Sequence, residues 1–231
     1  TAVAGRWMLL QVDGKNVDGT NVATREGGCN KRCEKNLHLY YLRGMRKLLL
    51  VLLLTGYLPC LAQTFPIGAR TITYFDATRN RNIETWVRYP GESSDANAVV
   101  ADGEFPVLVM GHGFAMAVDA YANLWEYFVP KGYIMVLPTT EGGLLPGPDH
   151  GAFGQDLAFL AGALQAANSD AGSPFFGRVA PATALMGHSM GGGASFLGAA
   201  NNNTIQTLVN FAPAETTPSA IAAAANVTVP T

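Results

Sequence analysis

Gly187-His188-Ser189-Met190-Gly191, continued by Gly192 and Gly193, sets a serine between glycines two positions away on either side. The apolar run Ala184-Leu185-Met186 precedes it, and Ala194-Ser195-Phe196-Leu197-Gly198-Ala199-Ala200 follows. The pattern predicts a short strand, a sharp turn and then a helix. A serine on such a turn is held in a strained conformation with its hydroxyl above the sheet. The glycines let strand and helix approach closely. The hydroxyl becomes a nucleophile only when a base takes its proton, and the chemistry it then serves is acyl transfer. Read alone, the same five residues also describe a Gly/Ser turn without chemistry, in a chain that holds 26 glycines. The strand–turn–helix context favours the nucleophile.

A second segment fits the same chemistry. Pro106-Val107-Leu108-Val109-Met110 reads as a buried strand that ends in Gly111-His112-Gly113-Phe114. Acyl transfer builds negative charge on a carbonyl oxygen, and two backbone N–H groups aimed at that oxygen stabilise it. One comes from the residue after the nucleophile and one from the loop after the third strand. Here the donors of this oxyanion hole are predicted to be the N–H groups of Met190 and Phe114. The side chains of Phe114, Met190 and His188 are candidates for the wall of the acyl site.

Other residues of suggestive type read more plainly. His188 adjoins the nucleophile on the turn, where neighbouring side chains point apart, so it reads as a packed histidine rather than the base. His112 is expected to shape the oxyanion loop. Asp149-His150 falls in a Gly/Pro-rich loop and reads as solvated, with a contact at the cleft rim as the other reading. Trp125 and Tyr127 read as packing residues. Asn202-Asn203-Thr204 matches a glycosylation sequon. Cys29 and Cys33 lack a second pair and are weak evidence for a metal, so no metal site is expected.

The elements that must position these residues follow from periodicity. Residues 70–76 and 83–89 alternate and read as an antiparallel hairpin. Strand 106–110 leads to a helix over 118–129 that ends at Pro130 to Gly132. Strand 133–137, a loop over 142–154 and a helix over 156–167 come next. The nucleophile strand covers 183–186, another strand 205–211 and a short helix 219–225. Residues 227–231 read as the approach to one more strand. Two strands followed by alternating strand and helix predict a mostly parallel sheet with helices on both faces. Ligands in such sheets bind beyond the carboxyl ends of the strands.

A chain of 231 residues suits one domain plus extras. Met45-Arg46-Lys47, the run Leu48 to Leu54, and Pro59-Cys60-Leu61-Ala62 form a signal-peptide pattern over 45–62, with cleavage expected after Ala62. Pro59 argues against lipidation at Cys60. The apolar run is shorter than the roughly 20 residues a membrane span needs. Residues 1–44 read as upstream sequence outside the mature protein, the other reading being a disordered extension. Residues 1–62 hold nine Lys/Arg and four Asp/Glu, net +5, and residues 63–231 hold six and thirteen, net −7. The mature part is therefore acidic and without cysteine, with no basic stripe for nucleic acid. It is expected to be secreted or periplasmic and off the membrane once its signal is cleaved.

The GHSMGGGA and GHGF segments resemble those of α/β-hydrolases of the dienelactone hydrolase type, over about residues 70–231. Bacterial cutinases and polyester (PET) hydrolases are the nearer look-alikes, and secreted platelet-activating-factor acetylhydrolases more distant ones. The resemblance implies an α/β-hydrolase fold and a cofactor-free serine ester hydrolase. Ser189 would be its nucleophile, and its substrate a small-molecule or polymeric ester. In that family the acid and then the histidine follow the strand after Val229. The four histidines here, His38, His112, His150 and His188, all precede Ser189. The expectation is therefore a fragment, inactive alone, that lacks the C-terminal strands and helix with the base and the acid. Glu215, just after the strand ending at Phe211, is the alternative acid, against a solvated loop glutamate. Lipase, acetylhydrolase or peptidase action on the same scaffold, and a non-catalytic binding module that keeps the elbow, stay open.

Overall fold

The computed structural model describes residues 64–231. The expected upstream stretch, signal peptide and cysteine pair lie outside the described residues. Among those described, six strands form one sheet: β1 (Ile67–Asp76), β2 (Arg81–Pro90), β3 (Phe105–Gly111), β4 (Ile134–Pro138), β5 (Val179–His188) and β6 (Thr207–Phe211). Their order is β1-β2-β4-β3-β5-β6. β1 pairs antiparallel with β2, and β2 with β4, while β4, β3, β5 and β6 run parallel. The expected hairpin and mostly parallel sheet are both present, and the architecture is that of an α/β-hydrolase.

The sheet is covered on both faces. Helices α2 (His150–Ala167) and α3 (Met190–Ala199) pack on one side, and α1 (Ala122–Phe128) packs on the other. Along β3 the side chains divide accordingly. Val107 and Val109 join the cluster that holds Phe153, Leu157 and Leu160 of α2. Leu108 and Met110 join Val129, Met135 and Leu137. A strand buried on both faces needs apolar residues at every position, which is why β3 and β4 read as unbroken apolar runs rather than alternating ones.

Several boundaries differ from the sequence reading for local reasons. The helix expected over 118–129 is a 3-10 turn (Val118–Tyr121), then α1, then a second 3-10 turn (Val129–Lys131) that includes Pro130 and stops at Gly132 with φ 90°. Helix α2 starts at His150, six residues before the predicted start. Asp149 is its N-cap and its side chain accepts the Ala152 N–H. Capping by a short acidic side chain satisfies one of the donors that a helix start leaves free. Asp149 and His150 therefore open a helix and are not part of a solvated loop. Gly154 sits inside this helix because an added Cβ would come within 2.8 Å of Ala194 O and Leu197 Cβ of α3. Residues 227–231 form no strand. They lie beside β6, where Leu208 N donates to Pro230 O at 3.0 Å, and a short helix α4 (Ala220–Ala224) precedes them.

The tip of the β1–β2 hairpin is tied down by charge. Asp156 of α2 is 0% exposed. It accepts from Arg79 Nη1 at 2.7 Å, Arg81 Nη2 at 2.8 Å and Thr140 Oγ1 at 2.7 Å. Arg79 also reaches Asp76, and Arg81 also reaches Glu141 at 2.7 Å. The hydrogen bonds it donates to Asp156 raise the Arg81 guanidinium above its ordinary value, against the opposing effect of burial. This network fixes the hairpin, α2 and the loop after β4 to one another.

Candidate active site

Strands β3 and β5 are direct neighbours in register, with Gly111 opposite Gly187. Their carboxyl ends are therefore level, and the loop after β3 emerges beside the turn after β5. Ser189 occupies that turn with φ 50° and ψ −115°. A non-glycine residue is held in such a conformation only by the structure around it. Three backbone bonds do so here. Ser189 N donates to Phe211 O at 3.0 Å, and Ser189 O accepts from Gly193 N at 3.1 Å and Ala214 N at 2.9 Å.

Glycine is required where the elbow meets the sheet. A Cβ on Gly191 would fall on the carbonyl of Gly111, and one on Gly187 would fall on the backbone of Gly191. The strand, the turn and the first turn of α3 thus approach backbone to backbone. Ser189 is the residue before α3, yet its side chain makes no capping bond to that helix. Among the described residues, the buried side-chain nitrogens and oxygens without a partner are Arg79 Nη2 and Asn210 Nδ2. The Ser189 hydroxyl is not one of them, and the residue is half-buried.

The oxyanion loop is anchored on its inner side. His112 is 1% exposed. Its Nδ1 lies 2.9 Å from Gly113 O and its Nε2 lies 2.8 Å from Thr140 O, while its ring packs on Phe153 at 4.8 Å between centroids. Beyond Gly113 the chain turns outward. Phe114 is 52% exposed, Ala115 adopts φ 54°, and Met116 N donates back to Gly113 O at 3.1 Å. Among the described residues the N–H groups of Phe114 and Met190 have no backbone acceptor. Free donors are what a developing oxyanion requires.

The other predicted site residues fall as follows. Met190 is a correction: it is 3% exposed and packs in the core beneath α3, so its side chain is not part of a wall. His188 is half-buried, with Nδ1 3.0 Å from Tyr121 Oη. Glu215 is exposed, and its carboxylate accepts the Ile221 N–H at the start of α4 at 3.0 Å. His150 Nδ1 accepts the Thr217 N–H at 3.3 Å. The structure brings no described histidine to either the Ser189 hydroxyl or Glu215. Trp125 packs on Trp86, and the Arg88 guanidinium lies over both indoles at 5.1 and 4.7 Å. Tyr127 is instead exposed, beneath the Lys131 ammonium.

A cleft of about 510 Å³ adjoins the oxyanion loop. Trp86, Met116 and Val118 give it an apolar wall, and Glu84 and Asp119 bring carboxylates to it. A larger groove of about 800 Å³ crosses β1 and α2 between Tyr74 and Phe159. Ser189 lines neither the cleft nor the groove, and burial pushes the Tyr74 hydroxyl in the groove up to about 12. Among the described residues no group of three or more His, Cys, Asp or Glu side chains converges to hold a metal ion.

Sequence reasoning missed Tyr121. Its hydroxyl accepts the Gly113 N–H at 2.7 Å and lies against His188, so it touches both halves of the site. In the sequence it is one apolar position among several in a helical pattern, and nothing there marks it.

Comparison with known proteins agrees with this fold. A model of the chlorophyllase family matches residues 96–220, just over half of the chain. No curated protein matches the chain. A ferulic acid esterase from Streptomyces cinnamoneus is similar in structure, with 19% sequence identity and a TM-score of 0.50. That match covers 64% of this chain and 59% of the other, so the chain spans about three-fifths of its neighbour's length. At this identity the likeness speaks for the fold alone.

Proposed function

Since the chain belongs to the chlorophyllase family, an α/β-hydrolase family, we propose that it is a carboxylester hydrolase working through an acyl-enzyme on Ser189. The observation that carries this reading is the backbone of Ser189, at φ 50° and ψ −115°, in the turn beside the Phe114 loop, its hydroxyl without a hydrogen-bond partner among the described residues. Strain of this kind is retained where surrounding structure enforces it, and it clusters at reactive residues.

The reaction runs in two halves. Ser189 Oγ adds to the ester carbonyl carbon as its proton passes to a general base, and the carbonyl oxygen becomes an oxyanion held by the N–H groups of Phe114 and Met190. Collapse of the tetrahedral intermediate expels the alcohol, which takes the proton from the base. Water then repeats the sequence on the acyl-enzyme and releases the acid. The base and its orienting carboxylate lie outside residues 64–231 in this reading. Its support is that the Ser189 hydroxyl has no imidazole partner among the described residues, and that Glu215 is engaged in capping α4.

The cleft beside the oxyanion loop favours an ester with a bulky apolar or aromatic portion. Trp86, Met116 and Val118 wall it, and Phe114, in the same loop as Met116, is exposed. A cutinase- or polyesterase-like preference is the form of this proposal that the resemblance of the GHSMGGGA and GHGF segments supports. Export from the cytoplasm belongs to this proposal too, supported by the leader-like pattern at 45–62.

The test is hydrolysis by the full-length protein of p-nitrophenyl esters of increasing acyl length, followed by a polyester film. Turnover is expected, and Ser189→Ala is expected to lower kcat by about 10³-fold or more. Undiminished turnover by Ser189→Ala would overturn the reading.

A further inference from the structure

We propose that Tyr121 is a positioning residue for the oxyanion hole. Its buried hydroxyl links the loop that carries the Phe114 N–H to the elbow that carries Ser189 and the Met190 N–H. This role rests on the ester-hydrolase reading above and adds to it the element that holds the two donors at a fixed separation.

The geometry is a three-way junction. Tyr121 closes the 3-10 turn Val118–Tyr121 and is 6% exposed. Its Oη accepts the Gly113 N–H at 2.7 Å, lies 3.0 Å from His188 Nδ1, and lies 3.3 Å from Met116 Sδ. A phenol has one proton and two lone pairs. The Gly113 N–H occupies one lone pair. The proton goes to His188 Nδ1 or to Met116 Sδ according to the imidazole tautomer, and in either case the hydroxyl bridges Gly113 and His188. Burial raises the Tyr121 hydroxyl above its ordinary value, although the Gly113 N–H pulls the other way. The phenol therefore keeps its proton throughout the neutral range.

Gly113 completes the junction. A Cβ there would come within 2.9 Å of Met116 Sδ, 3.0 Å of His188 Nδ1 and 3.3 Å of Tyr121 Oη. The space a side chain would need is filled by the three groups that meet. The junction also sits one residue from each working group, since Gly113 precedes Phe114 and His188 precedes Ser189. Phe114 and Ala115 are exposed, so little outside the junction restrains the outer turn of the loop. Oxyanion stabilisation requires donors within roughly 2.7–3.1 Å of the forming charge, and a displacement of about 1 Å can cost about 10²-fold in rate.

The experiment uses the full-length enzyme and p-nitrophenyl butyrate. Tyr121→Phe keeps the ring and removes only the hydroxyl. Its kcat is expected to fall about 10- to 100-fold while KM stays within about twofold. The inhibition constant of an alkylboronic acid, which mimics the tetrahedral intermediate, should rise by the same factor. The thermal midpoint and the titrated fraction of active sites should hold. His188→Leu breaks one arm of the junction and should lower kcat about tenfold, and adding it to Tyr121→Phe should cost nothing further. It reads the same link should Tyr121→Phe fail to fold. Wild-type kcat in Tyr121→Phe, or a loss confined to the fraction of active sites, would overturn the proposal while Ser189→Ala stays silent. Turnover retained by Ser189→Ala would instead overturn the serine mechanism on which it stands.

Discussion

The Cα of Gly191 lies against the carbonyl of Gly111, so closely that an added Cβ would fall on that backbone. One glycine belongs to the strand that leads into the Phe114 loop and the other to the first turn after Ser189. The two halves of the site are therefore brought together by backbone packing, with no room for a side chain to give way. Gly191→Ala is expected to destabilise the full-length protein by about 3 kcal/mol or more, at or above the upper end of overpacking costs because the obstacle is main chain. Gly162 is the control. It lies in α2, where an added Cβ meets nothing within 4 Å. Gly162→Ala should stabilise by about 0.5–1 kcal/mol through helix propensity. Urea unfolding of both variants checks the pair, and equal shifts would contradict the packing account.

Strain at the nucleophile makes a second prediction. Ser189 holds φ 50° and ψ −115°, a conformation that glycine adopts with little cost and alanine does not. Ser189→Gly and Ser189→Ala both remove the hydroxyl, and both should abolish turnover. Ser189→Gly should nonetheless be more stable than Ser189→Ala by about 1 kcal/mol. Parallel thermal and urea unfolding of the two variants measures the difference. Indistinguishable midpoints would mean that the elbow is not strained in solution.

What the sequence made legible here is local. The elbow is readable because five consecutive residues carry it, and strands β3 to β5 because continuous apolar runs signal burial on both faces. The start of α2 is obscured, since Gly151 and Gly154 interrupt the apolar period and the preceding Gly/Pro-rich residues suggest a loop, although Asp149 is a legible cap. Tyr121 and Asp156 are harder still. Each sits at an ordinary position in a helical pattern and gains its role from partners on other elements, the farthest of them 67 residues from Tyr121 and 77 from Asp156. No spacing rule reports a tertiary hydrogen bond. The burial of the Met190 side chain is hidden for a similar reason, because the motif specifies its N–H and leaves the direction of its side chain to the packing of α3.

Asp156 joins the hairpin to the site. It is fully buried and receives Arg79, Arg81 and Thr140, and the carbonyl of Thr140 meets His112 of the oxyanion loop. Without Asp156 the part-exposed Arg79 and Arg81 keep Asp76 and Glu141, so the loss is that of the charge-assisted hydrogen bonds to the buried carboxylate, about 1.5–3 kcal/mol. Asp156→Ala is expected to lose stability in that range and to lower kcat together with it, as the Thr140 loop loosens around His112. Unfolding should be measured at low and at high salt. A loss that vanished in high salt would show the network to be exposed, since buried charges are little screened.

Asp76 sets an acid limit on stability. The Arg79 side chain donates to its carboxylate, at 2.6 Å through Nε, and the N–H groups of Thr78 and Arg79 add to it, which together hold the carboxyl below its ordinary value against the effect of burial. A group whose folded value is depressed binds its proton more readily in the unfolded chain. Its stabilising contribution is therefore complete above the unfolded value of 3.8 and disappears as pH falls through the lower folded value. Asp76→Asn cannot ionise and has no such dependence. The stability difference between wild type and Asp76→Asn should stay constant from pH 7 to about pH 5 and shrink below about pH 4. Urea midpoints at pH 7, 5 and 3 decide it, and a difference that held unchanged at pH 3 would detach Asp76 from the acid limb.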